Sequence, residues 1–229
     1  MFENLPFIGI IPARKGSVRI KNKNIMILNN KKLIEYTLDQ AIKTKGLDKI
    51  LITTDDERIL KFSKKYKKVI FLKRNKKLSS SKSLLKNAIK NAIRYINNNL
   101  NIKNFNAVIL QPTSPQRVSK NIDESIKLFI KNKSKPLVSV SEPINNPCDM
   151  LIKKGGKIEH VIKGFRDSNK QKYNNIFFIN GSIYIYNSAF FLKNNSILYD
   201  KITLFKMDKK HSIELDDKFD IKLIKSLNL

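Results

Sequence analysis

The sequence predicts an α/β fold with a mostly parallel sheet flanked by helices, and three observations carry that expectation. Short apolar runs that stop at proline or polar residues alternate with stretches whose apolar positions recur three and four apart. The composition, 41% hydrophobic and 28% charged with 7 glycines and 7 prolines, is that of a folded globular chain. A length of 229 residues suits one α/β domain with a proper core and a small appended lobe.

Taken in order, Phe7 to Ile11 is apolar and ends at Pro12, which reads as a buried strand. Leu33 to Lys43 carries a helical period, and Ile50 to Thr53 is a second strand. Helix, strand and helix follow at Glu57 to Tyr66, Val69 to Leu72 and Ser83 to Asn97. Ala107 to Leu110 is a strand stopped by Pro112, Ile122 to Asn132 a helix, and Leu137 to Val140 a strand. Sequential parallel strands joined by crossover helices are the economical topology, which puts ligands at the strands' carboxyl ends. After about Pro143 the rhythm changes. Leu151 to Ile162 holds two short runs around Gly155-Gly156, a hairpin signal that opens an inserted lobe. Phe165 to Asn175 is polar and aperiodic and reads as a mobile loop; Phe177 to Tyr186 is a strand in which Gly181 implies close backbone approach. Ser212 to Asp217 alternates, and Phe219 to Leu227 closes the chain as an amphipathic helix.

The bulk chemistry narrows the function classes. One cysteine, Cys148, allows no internal disulfide, and two histidines, His160 and His211, make a zinc site hard to assemble, so any metal is expected on oxygen ligands. No apolar run is long enough to span a membrane, and Met1 to Pro6 lacks signal-peptide character, which together set an expectation of a cytoplasmic protein. The formal charge of +27 suggests nucleic acid or an anionic membrane surface as a partner. The lysines, however, are scattered among Asn and Ile through every segment, as A+T-rich codons would supply, so neither a specific nucleic acid nor a membrane is expected. Such a surface still favours anionic substrates.

The chemistry concentrates first in the loop Pro12-Ala13-Arg14-Lys15-Gly16-Ser17-Val18-Arg19-Ile20-Lys21-Asn22-Lys23-Asn24, which is rich in cations and amides and sits where an α/β sheet binds phosphate. With one glycine it is neither a Walker A loop nor a dinucleotide fingerprint. Far along the chain, Glu214 and Asp216 stand two apart in an extended stretch, which points both carboxylates to one face and suits Mg²⁺. Asp55 and Asp56 follow the second strand, where Asp56 reads as a helix cap rather than a catalytic group.

Ile10 to Ser17, running on to Lys23-Asn24-Ile25, resembles the opening signature of the acylneuraminate cytidylyltransferases. The resemblance continues in order through Thr53-Thr54-Asp55-Asp56-Glu57, Leu110-Gln111-Pro112-Thr113-Ser114-Pro115-Gln116-Arg117, Asn180-Gly181-Ser182-Ile183-Tyr184-Ile185 and Ser212-Ile213-Glu214-Leu215-Asp216, so it spans nearly the whole chain. It implies a Rossmann-like nucleotidyltransferase fold, one domain over residues 1–229 with a dimerisation lobe at approximately 143–176. It implies transfer of CMP from CTP to an acidic nine-carbon sugar, with Mg²⁺ as cofactor and a homodimer as the assembly. Carried over by position, Arg14 and Lys23 resemble triphosphate-binding cations, Ser17 and Asn24 nucleotide holders, and Gln111 a residue that meets the base or sugar. Lys170, Gln171 and Asn180 fall on the sugar side, and Asp216 with Glu214 in the metal position.

Five places depart from the family pattern. Glu214 stands where aspartate is usual, Lys170 where arginine is frequent, Phe178 where relatives often carry arginine, and Leu78-Ser79-Ser80-Ser81 where the family commonly ends in aspartate. Val18-Arg19 replaces a frequent Lys-Gly and resembles the pseudaminic acid branch and the KDO cytidylyltransferases, which keeps KDO transfer as the alternative acceptor chemistry; Lys23-Asn24, where the KDO enzymes tend to have Lys-Pro, speaks against it.

Overall fold

The computed structural model describes residues 5–17, 19–63, 66, 68–80, 83–162 and 176–227. In chain order the strands and helices are β1 (Phe7–Pro12), β2 (Ile27–Leu28), β3 (Lys31–Lys32), α1 (Leu33–Lys43), β4 (Lys49–Thr54), α2 (Glu57–Ser63), β5 (Val69–Lys73), α3 (Lys76–Ser79), α4 (Leu85–Asn99) and β6 (Asn106–Leu110). They continue with α5 (Ser119–Lys131), β7 (Leu137–Ser141), β8 (Leu151–Lys154), β9 (Lys157–His160), β10 (Phe178–Asn187), α6 (Ser188–Asn194), β11 (Thr203–Lys206) and α7 (Lys218–Ser226).

Among the described residues, seven strands form one sheet in the order β11-β7-β10-β6-β1-β4-β5. The β5-β4-β1-β6 portion is parallel throughout, and β7 pairs parallel with β11. Between β6 and β7 lies β10, antiparallel to both, so the sheet is mostly but not wholly parallel, as the sequence leads one to expect. The physical reason is chain length: β10 returns from a distant segment and fills the gap with antiparallel ladders, which need no crossover helix. The order reverses between β1 and β6, because β4 lies on one side of β1 and β6 on the other. Loops leaving the carboxyl ends of these two strands therefore flank a topological switch point, the place where such sheets bind ligands.

Alternation along each strand divides the core. Phe7 and Ile11 of β1 face α1, α2 and α5 together with Ile34, Leu38, Ile59, Ile122 and Phe129. Ile8 and Ile10 face the opposite layer, where α4 and α6 contribute Ile89, Ile93, Ile96 and Phe191. A smaller cluster of Leu28, Leu33, Leu215 and Ile224 pins α7 and the stretch before it against the start of α1. The expected 151–162 hairpin is β8–β9, a separate two-stranded sheet turning at Gly155-Gly156. The predicted mobile loop and most of the later part of the 143–176 lobe lie outside the described residues.

Candidate active site

The loop after β1 is braced from the neighbouring strand. Ala13 N donates to Thr53 O at 3.0 Å and Lys15 N to Asp55 Oδ1 at 2.8 Å, so the end of β4 holds the loop's first turn. At its other end Arg58 Nη2 donates to Asn22 Oδ1 at 2.8 Å while forking onto Asp56, which also accepts from Arg58 N at 3.0 Å. Asp56 is thus the helix-start residue the sequence suggests, and through Arg58 it also reaches the loop. Burial alone would raise its carboxyl, but the bonds from Arg58 outweigh that and hold its pKa below the usual value. Asn22 takes a left-handed backbone, φ 56°, and turns the chain into a short helical turn over Lys23–Ile25.

Within this frame the predicted residues converge. Arg14, Ser17, Lys23, Asn24, Gln111, Glu214 and Asp216 line one cleft of about 370 Å³ at the switch point. Arg14 Nη1 donates to Ser80 O at 2.9 Å, and Asn24 Nδ2 donates to Arg14 O at 2.8 Å, so Asn24 fixes the backbone that presents Arg14. Lys23 is 8% exposed and donates to Leu215 O at 2.8 Å and to Asp216 Oδ1 at 3.1 Å. Leu215 N donates to Thr113 O at 2.7 Å, which ties the carboxylate segment to the loop after β6. The two bonds from Lys23 span more than 190 residues of sequence and bring the loop after β1 and the carboxylates together.

Glu214 accepts from Thr113 Oγ1 at 3.2 Å. Burial first, and the nearby charge of Asp216 second, push its carboxyl pKa up. Asp216 behaves oppositely: hydrogen bonds from Lys23 and Arg19 outweigh its partial burial and lower its pKa. Two neighbouring carboxylates in a cleft are hard oxygen donors whose mutual repulsion a divalent cation relieves, so the pair fits Mg²⁺ held jointly by protein and phosphate oxygens. Among the described residues no group of three or more His, Cys, Asp or Glu stands together as a fuller metal cage.

Gln111 Nε2 donates to Gly181 O at 2.9 Å. Gly181 has φ +67°, and a Cβ there would sit 3.2 Å from both Gln111 Nε2 and Glu214 Oε1, which is the close approach its sequence position implies. Asn180, expected on the sugar side, is not among the residues that line this cleft. It is fully buried, accepts from Ser139 Oγ at 2.6 Å and donates to Ser212 Oγ at 3.0 Å, so its amide is spent on joining β7, β10 and the carboxylate segment. Lys170 and Gln171 lie outside the described residues.

Three residues in or beneath the cleft escaped the sequence reading of the site. Arg74, 5% exposed, lines it and donates to Thr53 O at 2.8 Å; burial lowers its pKa to about 10. Thr113 holds Glu214. Arg117, 1% exposed, lies below the cleft and joins Gln111 O at 3.2 Å, Ser182 O at 2.7 Å and Thr37 Oγ1 at 2.7 Å, with burial lowering its pKa to about 9. Arg117 stood within a quoted motif, but nothing local told that its guanidinium would knit three elements together.

A mostly parallel sheet flanked by helices, with cations and paired carboxylates at its switch point, defines an α/β protein whose cleft suits a phosphate-bearing ligand. Residues 8–228 match the family described as Cytidylyltransferase, and the chain belongs to that family. It is 31% identical to the N-acylneuraminate cytidylyltransferase of Escherichia coli O18:K1:H7, covering 94% of this chain and 50% of that protein, and so spans about half that relative's length. It is 29% identical to the post-translational flagellin modification protein B of Campylobacter coli over 95% of this chain and 92% of that one. A solved CMP:2-keto-3-deoxy-manno-octonic acid synthetase has the same fold, with a TM-score of 0.69 at 14% identity over 97% of this chain and 98% of that one.

Proposed function

We propose that the protein transfers CMP from CTP to the anomeric hydroxyl of a nonulosonic acid of the sialic kind and releases pyrophosphate. The observation that carries this is the meeting of Arg14, Lys23, Glu214 and Asp216 in one cleft at the switch point of a cytidylyltransferase-family chain. The relative whose name specifies N-acylneuraminate supports the acceptor class. Lys23-Asn24 favours it over the KDO alternative.

In this reading the sugar oxygen attacks the α-phosphorus, a P–O bond forms, and the α–β phosphoanhydride breaks with pyrophosphate as leaving group. The hydroxyl proton passes to a base. Arg14 and Lys23 stabilise the charge that gathers on the equatorial oxygens and the leaving pyrophosphate, which fixed cations in a partly dry cleft do without reorganising. Ser17 and Asn24 support the nucleotide, Asn24 by holding the Arg14 backbone. Arg74, beside the apolar wall of Leu78, Leu84 and Ala88, suits the acceptor edge of a flat base. Gln111 sets the distance between β6 and β10, and Lys170 and Gln171 are proposed to meet the acidic sugar. Asp216 and Glu214 would hold Mg²⁺, which when bound neutralises phosphate charge and orients the reacting oxygens.

We further propose a cytoplasmic homodimer joined through the β8–β9 hairpin, whose Leu151, Ile152 and Ile158 are exposed. Among the described residues no helix is long and apolar enough to cross a membrane. The test is pyrophosphate release from CTP and Mg²⁺ with sialic, legionaminic, pseudaminic and KDO acceptors in turn. Turnover with one or more of the first three supports the proposal; folded protein active on KDO alone, or on none, overturns it. A random oligonucleotide retained at physiological salt would instead favour a role set by the basic surface.

A further inference from the structure

Asp216 already holds two cations of different character. Lys23 is almost buried and is tied to Leu215 O as well as to Asp216 Oδ1, so its place is fixed by the fold. Arg19 Nη1 lies 2.7 Å from Asp216 Oδ2, yet its side chain is 65% exposed and can leave without unpacking a core. We propose that Arg19 is a competing counter-ion for Asp216, so that a divalent cation gains this carboxylate only as nucleotide phosphates draw Arg19 away. This rests on the reading that Glu214 and Asp216 hold the metal.

The physical case is electrostatic. A guanidinium bonded to a carboxylate oxygen blocks that oxygen and repels a second cation placed beside it. Arg19 also lines the same cleft, so a polyphosphate bound there would offer it an alternative anionic partner. Whatever factor the nucleotide adds to metal affinity, the metal must add to nucleotide affinity. Arg19 therefore couples the two ligands and keeps the bare carboxylates from collecting divalent cations without nucleotide. The sequence marks the position as well, since Arg19 is one of the departures in the loop.

The experiment is a titration of the protein alone with Mn²⁺, read by electron paramagnetic resonance of the free ion, with no nucleotide or sugar. Arg19→Gln is expected to bind Mn²⁺ about tenfold more tightly than wild type. Arg19→Lys, which keeps the charge, should stay near wild type. Adding Asp216→Asn to Arg19→Gln should remove the gain and so place the ion. Mn²⁺ bound no more tightly by Arg19→Gln, or with a gain that survives Asp216→Asn, overturns the counter-ion role alone. If Mn²⁺ fails to bind either protein and CMP transfer persists in EDTA, the metal reading beneath it falls too.

Discussion

At the scale of single residues, the cleft sorts its charges into fixed and functional ones. Arg14 is held by Asn24 and donates to Ser80 O, and the role proposed for it is electrostatic rather than architectural. Arg14→Ala is therefore expected to lower the rate of pyrophosphate release about 100- to 1000-fold while leaving the melting temperature nearly unchanged. Calorimetry beside the kinetic assay checks both halves. Asp56 is the contrasting case, because it holds Arg58 against the loop. Its folded pKa is depressed, so its contribution to stability is present above the unfolded value and is lost as pH falls through the folded one. Asp56→Asn should cost about 1–3 kcal/mol at pH 7. The gap from wild type in urea unfolding should narrow below the ordinary carboxylate range. These residues also show what can be read locally. Arg14, Lys23 and Asn24 are legible because they share one short loop, whereas Arg74 and Arg117 are ordinary basic residues until the chain folds. The partners of Asn180 are hidden for the same reason: only the packed sheet shows its amide bonded to Ser139 and Ser212.

At the scale of elements, β10 decides how the site is assembled. It runs antiparallel between β6 and β7, with a register shift between Ile179 and Tyr184 that brings Gly181 against Gln111 and Glu214. Any side chain at Gly181 meets both an unfavourable backbone conformation and those two groups. Gly181→Ala is expected to destabilise the fold by about 1–3 kcal/mol and to lower turnover by displacing Glu214, as denaturant midpoints and rates measured together will show. The strand itself is legible from its apolar run, but its direction is not. Periodicity reports burial and leaves neighbours unspecified. The short β11 is missed for another reason: Thr203, Leu204, Phe205 and Lys206 alternate over only four residues, so the pattern is too brief to stand out. Helices α1, α4 and α5 fall within a few residues of their expected limits because each carries a long apolar stripe.

At the scale of the whole molecule, the switch point between β1 and β6 gathers segments more than 190 residues apart, which is why the site is legible only as separated motifs in order. The net charge of +27 adds an overall attraction for anionic substrates without naming one. The hairpin's exposed Leu151 and Ile158 bear on assembly. Leu151→Glu with Ile158→Glu should convert the proposed dimer to monomer in sedimentation velocity without loss of secondary structure, and an unchanged sedimentation coefficient would place the interface elsewhere. The central claim is the reaction itself, and phosphorus NMR of CTP, Mg²⁺ and a nonulosonic acid with the protein tests it most directly. The account predicts that one phosphodiester resonance and one pyrophosphate grow together as CTP disappears, and that both are lost with Arg14→Ala. Pyrophosphate formed equally without the sugar, or CTP left intact by folded protein with every acceptor, would contradict it.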